Sequence, residues 1–330
     1  MPPFPKPAFR YDYSLTHERN VLRKHRRARR VPDHPRDRIM VATWNLANLG
    51  VQKRRDKDYA LIAEIISWFD LVAVQEVREN LDGLRGILRH LPRGWTAIFT
   101  DRSGNDERLT FLYREDRIEH GELLGEVNLL PGERRRVKLP GVKMVFEDFN
   151  RSPALCSFRA RRFHFTLGNV HVYYGAAHGD KLTRRRLEVL ALAIYARSRQ
   201  AVSTRYDPNL MLVGDFNTPK ADSKDPVFGA LLRAGMVPPD SLPGTVVGGR
   251  SIGFHKDYDQ LVMFPDTKMR SRATKGVFDF DTVLFSDLWS ETERRRQLQF
   301  FDYLRYYVSD HRVLWTAFDM RTARTTPLRS

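Results

Sequence analysis

From residue 39 onward two apolar patterns alternate along the chain, and that alternation limits the folds open to it. Short, nearly continuous apolar runs occupy "IMVATWNL" (39–46), "LVAVQE" (71–76), "LTFLYR" (109–114) and "ALCSFRA" (154–160). Others occupy "RFHFTLGNVHVYY" (162–174), "LMLVGDF" (210–216), "YDQLVMF" (258–264) and "RVLWTAF" (312–318). Runs of this kind cross the interior of a sheet. Between them lie segments with helical spacing. In "DYALIAEIISWF" (58–69) the apolar positions are Leu61, Ile62, Ile65, Ile66 and Phe69; "LDGLRGILRHL" (81–91) reads as a further helix, and "TRRRLEVLALAIYARSRQ" (183–200) is the longest clear one. The class is α/β. In open sheets of this class, sites form where strands end.

Several of these strands end in polar residues. "LMLVGDFN" passes from an apolar run into Asp215 and Asn217, which are two apart and share a side while the pleat persists. Asn45 lies in "ATWNLANLG", Glu76 in "VAVQEVR", His171 in "GNVHVYY", Asp259 in "YDQLVMF", and Asp310 with His311 in "VSDHR". Each alone has an ordinary reading. Glu76 suits a helix N-terminus, His171 a hydrogen-bonded core position, Asn45 a bulge or turn, and Asp310 a cap. Together they offer carboxylate and carboxamide oxygens, the hard ligands of Mg²⁺, with Mn²⁺ and Ca²⁺ as alternatives. Two histidines, each able to pair with a carboxylate, supply a general acid and a general base near neutral pH. Phosphodiester hydrolysis needs this set: a cation for the non-bridging oxygens, a base for water, and an acid or metal for the leaving oxygen.

Charge points the same way. The chain has 330 residues and 56 Lys+Arg against 40 Asp+Glu, a formal charge of +16. Residues 1–38 carry eleven of the basic and four of the acidic groups, with "RNVLRKHRRARR" (19–30) the densest run. The body stays basic without them, through clusters at Arg134–Arg136, Arg184–Arg186 and Arg294–Arg296. The balance favours a polyanionic partner without naming one: nucleic acid suits it, and peripheral contact to acidic lipid stays open. The segments expected are a basic N-terminal arm (1–38) with flexibility allowed, a catalytic domain (39–320) and a C-terminal tail (321–330). One cysteine, Cys156, excludes an internal disulfide framework and a Cys-based zinc site. There is no apolar run of about 18 residues. The opening "MPPFPKPAFRYDYS" lacks the roughly 7–15-residue apolar stretch of a secretory signal, so a cytoplasmic location is expected.

In order, "WNLANLG", "VQEVR", "NVHV", "VGDFN", "YDQLV" and "SDHR" resemble the motifs of the endonuclease/exonuclease/phosphatase superfamily, from about residue 39 to 320. The chain looks most like the pancreatic-type deoxyribonuclease branch, since "FNRSPALCSF" (149–158), "DERLTFLYR" (106–114), "QEVRE" and "FDF" (278–280) also have counterparts there. The resemblance implies a four-layer α/β/β/α sandwich of two packed mixed sheets and Mg²⁺-dependent phosphodiester hydrolysis. It implies that Glu76 binds the metal, assisted by Asn45 and Asp310. His171 with Glu107, and His311 with Asp259, would form the acid/base pairs. Asp215 and Asn217 would position the nucleophile and phosphate. Arg151 would clamp a phosphate oxygen, and Arg78 would enter the minor groove. Which histidine is acid and which base stays open, and in some branches the residue matching Asp215 is proposed as the base. Two departures bear on duplex binding: Asn105 stands where that branch has a stacking tyrosine, and Ala47 where it has a phosphate-binding arginine. The alternatives are a relative acting on phosphoinositide, sphingomyelin or another small phosphoester, and a non-catalytic nucleic-acid-binding module.

Overall fold

The computed structural model describes residues 3–34, 36–201, 209–218, 224, 226–233, 244–247, 256–263 and 273–320. The tail assigned to 321–330 lies outside the described residues. One mixed sheet has six strands: β1 (Arg38–Leu49), β2 (Leu71–Arg78), β3 (Trp95–Phe99), β4 (Glu107–Arg114), β10 (Thr274–Phe278) and β11 (Val313–Asp319). Their order is β10-β11-β1-β2-β4-β3, with β1 and β2 parallel and the other pairs antiparallel. The second sheet, in the order β5-β6-β7-β8-β9, contains β5 (Glu119–Glu126), β6 (Ala154–Ala160), β7 (Phe163–His171), β8 (Leu210–Asp215) and β9 (Asp259–Met263). There only β7 and β8 run parallel.

Helices cover the outer faces. α1 (Leu15–Ala28), α2 (Asp56–Ile66), α3 (Asp82–His90) and α7 (Arg294–Tyr307) lie on the first sheet, and α4 (Pro131–Arg136), α5 (Gly179–Ala201) and α6 (Pro226–Arg233) on the second. The architecture is the expected four-layer α/β/β/α sandwich.

Strand parity sorts the core. In β1, Met40, Ala42, Trp44 and Leu46 pack under the helices, while Ile39 and Val41 face the other sheet. In β8, Leu210 and Leu212 meet the helices while Met211 and Val213 face inward. The same inter-sheet layer takes Leu109, Phe111 and Tyr113 of β4, Phe163, Phe165 and Leu167 of β7, and Leu261 and Met263 of β9. Extending each inward-facing set by steps of two reaches Asn45, Glu107, His171, Asp215 and Asp259. The polar residues are therefore one end of the inter-sheet layer.

Residues 3–34 fold against the body rather than extending from it. Leu22 is fully buried, Tyr13 and Val31 join the core beneath the first sheet, and Phe4, Phe9 and Tyr11 pack on it. Tyr13 Oη donates to Asp58 Oδ1 (2.9 Å). Arg23 makes a bidentate pair with Glu64 (2.7 and 2.9 Å), and His25 and Arg29 both meet Asp279. Burial opposes ionisation of Asp279, yet the bonds from His25 and Arg29 outweigh it and hold its carboxyl below the usual range. Part of the basic run is thus consumed inside the molecule.

Candidate active site

Two backbone irregularities aim the first carboxylate. By parity Glu76 would point to the helix layer, with Val72 and Val74. A register shift between Val74 and Val77, with Glu76 at φ +62°, turns it toward the other sheet. β1 is irregular at the same level, between Asn45 and Leu49, where Ala47 and Asn48 have φ +41° and +54°. Asn48 N–H donates to Glu76 Oε2 (2.8 Å), and Ala47 N–H to Asn45 Oδ1 (3.0 Å). Left-handed backbone at non-glycine residues is strained, and here two strained segments hold one carboxylate.

Asn45 Nδ2 donates to Glu76 Oε1 (3.0 Å) and to Asp215 Oδ2 (3.2 Å), joining the two sheets. Oδ2 of Asp215 also faces both imidazoles, 3.6 Å from His171 Nε2 and 3.8 Å from His311 Nε2. Each ring has its own carboxylate behind it. His171 Nδ1 lies 3.0 Å from Glu107 Oε2, and His311 Nδ1 donates to Asp259 Oδ2 (2.7 Å). Asn217 N–H caps Asp215 Oδ1 (2.8 Å), and Asn217 Nδ2 donates to the Val172 carbonyl (2.7 Å). Asn217 therefore fixes Asp215 through its backbone, while its side-chain Nδ2 is anchored on Val172 and the residue lines the cleft.

Arg151 is buried and donates through Nε to Glu107 Oε2 (2.7 Å). Its Nη1 is buried with no partner among the described residues. Burial alone would raise the Glu107 carboxyl; the charges and hydrogen bonds of His171 and Arg151 overcome it and bring it to about 2. Arg78 does not project. It donates to Asn48 Oδ1 and to the Asn105 carbonyl, and stands 4.0 Å from Glu107.

The cleft holds about 390 Å³ and is lined by Glu76, Arg151, His171, Asp215, Asn217, Asp310 and His311, with Tyr173, Tyr174 and Tyr258 further along. Burial raises the Asp310 carboxyl; His311 opposes this, while Glu76 and Asp215 push it higher. Burial would lower the His311 imidazolium, but Asp259, Asp215 and Asp310 outweigh it and raise it well above the usual value. A buried carboxyl raised by its neighbours is a donor that a hard cation relieves, so Asp310, with Glu76 beside it in the cleft lining, fits a divalent metal. Glu76, Glu107 and His171 also bring one donor atom each within 4.8 Å of one another. In that group Glu107 already carries Arg151 as its counter-charge. Asn45 turns its amide nitrogen, not its oxygen, to the carboxylates.

Other residues that build the site were not among those singled out from the sequence. Arg185, buried in α5, donates to the carbonyls of Tyr174, Ala176 and Asn217 (2.6, 2.5 and 2.8 Å). Glu188 accepts from Tyr173 N–H (3.0 Å) and Asn150 N–H (3.1 Å), coupling the segment after His171 to the one bearing Arg151. Ser309 Oγ donates to the Asn45 carbonyl (2.6 Å) and accepts from His311 N–H (2.9 Å). The available signal was Arg185 and Glu188 in helical phase with apolar Leu192, charged residues where a core stripe should run.

No family model matches the chain. A protein named deoxyribonuclease from Thioalkalivibrio sp. (strain K90mix) is 27% identical over 294 residues, covering 86% of this chain and 72% of its own length. An endonuclease/exonuclease/phosphatase family protein from Bacteroides thetaiotaomicron superposes with a TM-score of 0.56 at 18% identity, over 87% of this chain and 97% of its own. The chain has the endonuclease/exonuclease/phosphatase fold. Another structure with this fold, the 3′ phosphatase NExo from Neisseria bound to a product DNA hairpin, superposes at 0.51 with 17% identity, covering 85% and 99%. A mannosyl-6-phosphatase from Bacteroides thetaiotaomicron superposes at 0.53 with 18% identity, covering 84% and 98%. These named relatives are hydrolases acting on phosphoester bonds, and their substrates differ widely on one scaffold. Among the described residues no helix of the endonuclease/exonuclease/phosphatase-fold chain is long and apolar enough to cross a membrane.

Proposed function

We propose that this chain is a divalent-metal-dependent phosphodiesterase that cleaves nucleic acid, with DNA as its first substrate. The observation that carries the reading is the convergence of two imidazole Nε2 atoms on one oxygen of Asp215, in a cleft also lined by Arg151, whose Nη1 has no partner among the described residues. Nη1 supplies a charged donor for a non-bridging phosphate oxygen. One imidazole takes the proton of the attacking water as the new P–O bond forms, and the other protonates the leaving oxygen as the old one breaks. Glu107 and Asp259 orient the rings and stabilise whichever is charged. A divalent cation on Glu76 and Asp310, Mg²⁺ by donor type, would supply positive charge for the phosphate oxygens. The deoxyribonuclease relative and the net charge of +16 support a polynucleotide over a neutral ester.

The test is nicking of supercoiled plasmid in Mg²⁺ with an EDTA control. The parent should nick, EDTA should stop it, and Asp215→Ala and His311→Ala should each lower the rate about 10²–10⁴-fold. A parent that leaves plasmid and single-stranded nucleic acid intact would send the search to small phosphoesters.

A further inference from the structure

Two adjacent tyrosines, Tyr173 and Tyr174, follow His171 and line the same cleft. Both rings are half-buried, and each carries a guanidinium over one face. Arg184 stands 4.6 Å from the Tyr173 ring centroid, and Arg185 stands 4.7 Å from that of Tyr174. The two arginines are neighbours on α5 and belong to one of the basic clusters noted in the sequence. The backbone beneath the rings is equally fixed. Glu188 holds Tyr173 N–H, and Arg185 bonds twice to the Tyr174 carbonyl (3.1 and 2.6 Å). Gly175 has φ +60°, and a Cβ there would lie 2.3 Å from Cε1 of Tyr173. A side chain at 175 would displace the ring, so glycine makes room for it. Tyr258 continues the wall, 6.0 Å from Tyr174 and 6.3 Å from the His311 ring, with Lys256 Nζ 3.0 Å from its hydroxyl.

A guanidinium over an aromatic face is attracted to it and restrains the ring, and both restrained rings line the cleft. Planar groups stack on such rings, and base–aromatic stacking is how proteins hold unpaired nucleotides. A paired base inside a duplex has both faces covered by its neighbours. We propose that Tyr173 and Tyr174 form a stacking platform for an unpaired base next to the scissile phosphate, so that the preferred substrate is single-stranded or frayed nucleic acid rather than intact duplex. This rests on the nuclease reading and names the substrate class of the same site.

The experiment compares a single-stranded DNA oligonucleotide, its duplex, and the single strand with base-free nucleotides flanking the cleaved phosphate. The parent should show a higher kcat/KM on single strand than on duplex, and a KM at least about fivefold lower with bases than without. In Tyr173→Leu and Tyr174→Leu that base-dependent KM ratio should fall toward one. The phenylalanine variants, which keep the ring, should retain it. A parent that cleaves single strand and duplex alike and ignores missing bases overturns the platform and leaves the nuclease reading standing. A parent that cleaves none of the three overturns both.

Discussion

Glu107 shows how much one buried carboxylate is asked to do. It pairs with Arg151, backs His171 and stands 4.0 Å from Arg78. Its carboxyl is held at about 2, against an ordinary 4.5, because the surrounding cations outweigh the cost of burial. A depressed folded-state value means stability that is fully present above the unfolded value and lost as pH falls through the folded one. The stability advantage of the parent over Glu107→Gln, measured by urea unfolding in EDTA, should be largest near pH 7. It should shrink between about pH 4.5 and 2. A gap independent of pH would mean that the pair is not ionic. The sequence led to the expectation of Glu107, His171, Asp215, Asp259 and His311 as site residues, Glu107 through the family resemblance alone, and the structure brings the five side chains together. What was not readable is that Asn217 anchors its Nδ2 on Val172 and that Arg78 is tied down, since both depend on which groups lie opposite in the folded chain.

At the scale of elements, the irregular ends of β1 and β2 are supported from behind by a polar strap between the sheets. Asn169 of β7 accepts from Gln75 Nε2 (2.7 Å) and donates to the carbonyls of Val74 (3.2 Å) and Thr110 (3.0 Å) in the facing sheet. It is fully buried, and its partner Gln75 immediately precedes Glu76 in β2. Asn169→Ala would remove all three of these bonds between the sheets and should cost about 1–3 kcal/mol, read as a fall in the urea midpoint without a change in slope. Most strands and helices α2, α3 and α5 could be placed from apolar spacing alone, because their inward faces are continuous. β5 could not, since its burial alternates weakly and most of it is exposed. α1 was hidden for another reason. Its strongly basic sequence reads as a solvated run unless Leu22 and the aromatic residues before it are seen to share a buried face.

For the molecule as a whole, the docked N-terminal segment changes what the positive charge means. Arg23 and Arg29 pair with Glu64 and Asp279 of the body, so they are not free to neutralise phosphates. Removing residues 1–30 should uncover the face that receives Tyr13 and Leu22 and lower Tm by at least about 5 °C. An unchanged Tm by circular dichroism would show that the segment adds nothing to stability.

The sequence by itself determined the α/β class, the polar ends of its apolar strands and the residue types of a phosphoester-hydrolysing site, because periodicity and side-chain chemistry are local properties. Only the tertiary structure decided that these ends meet. Glu76 reaches the site through a backbone irregularity, Arg151 and Asp310 come from segments with no periodic signal, and the tyrosine platform exists only because α5 brings Arg184 and Arg185 behind it. Those are contacts between residues far apart in the chain, set by how two sheets pack, and no local pattern encodes them.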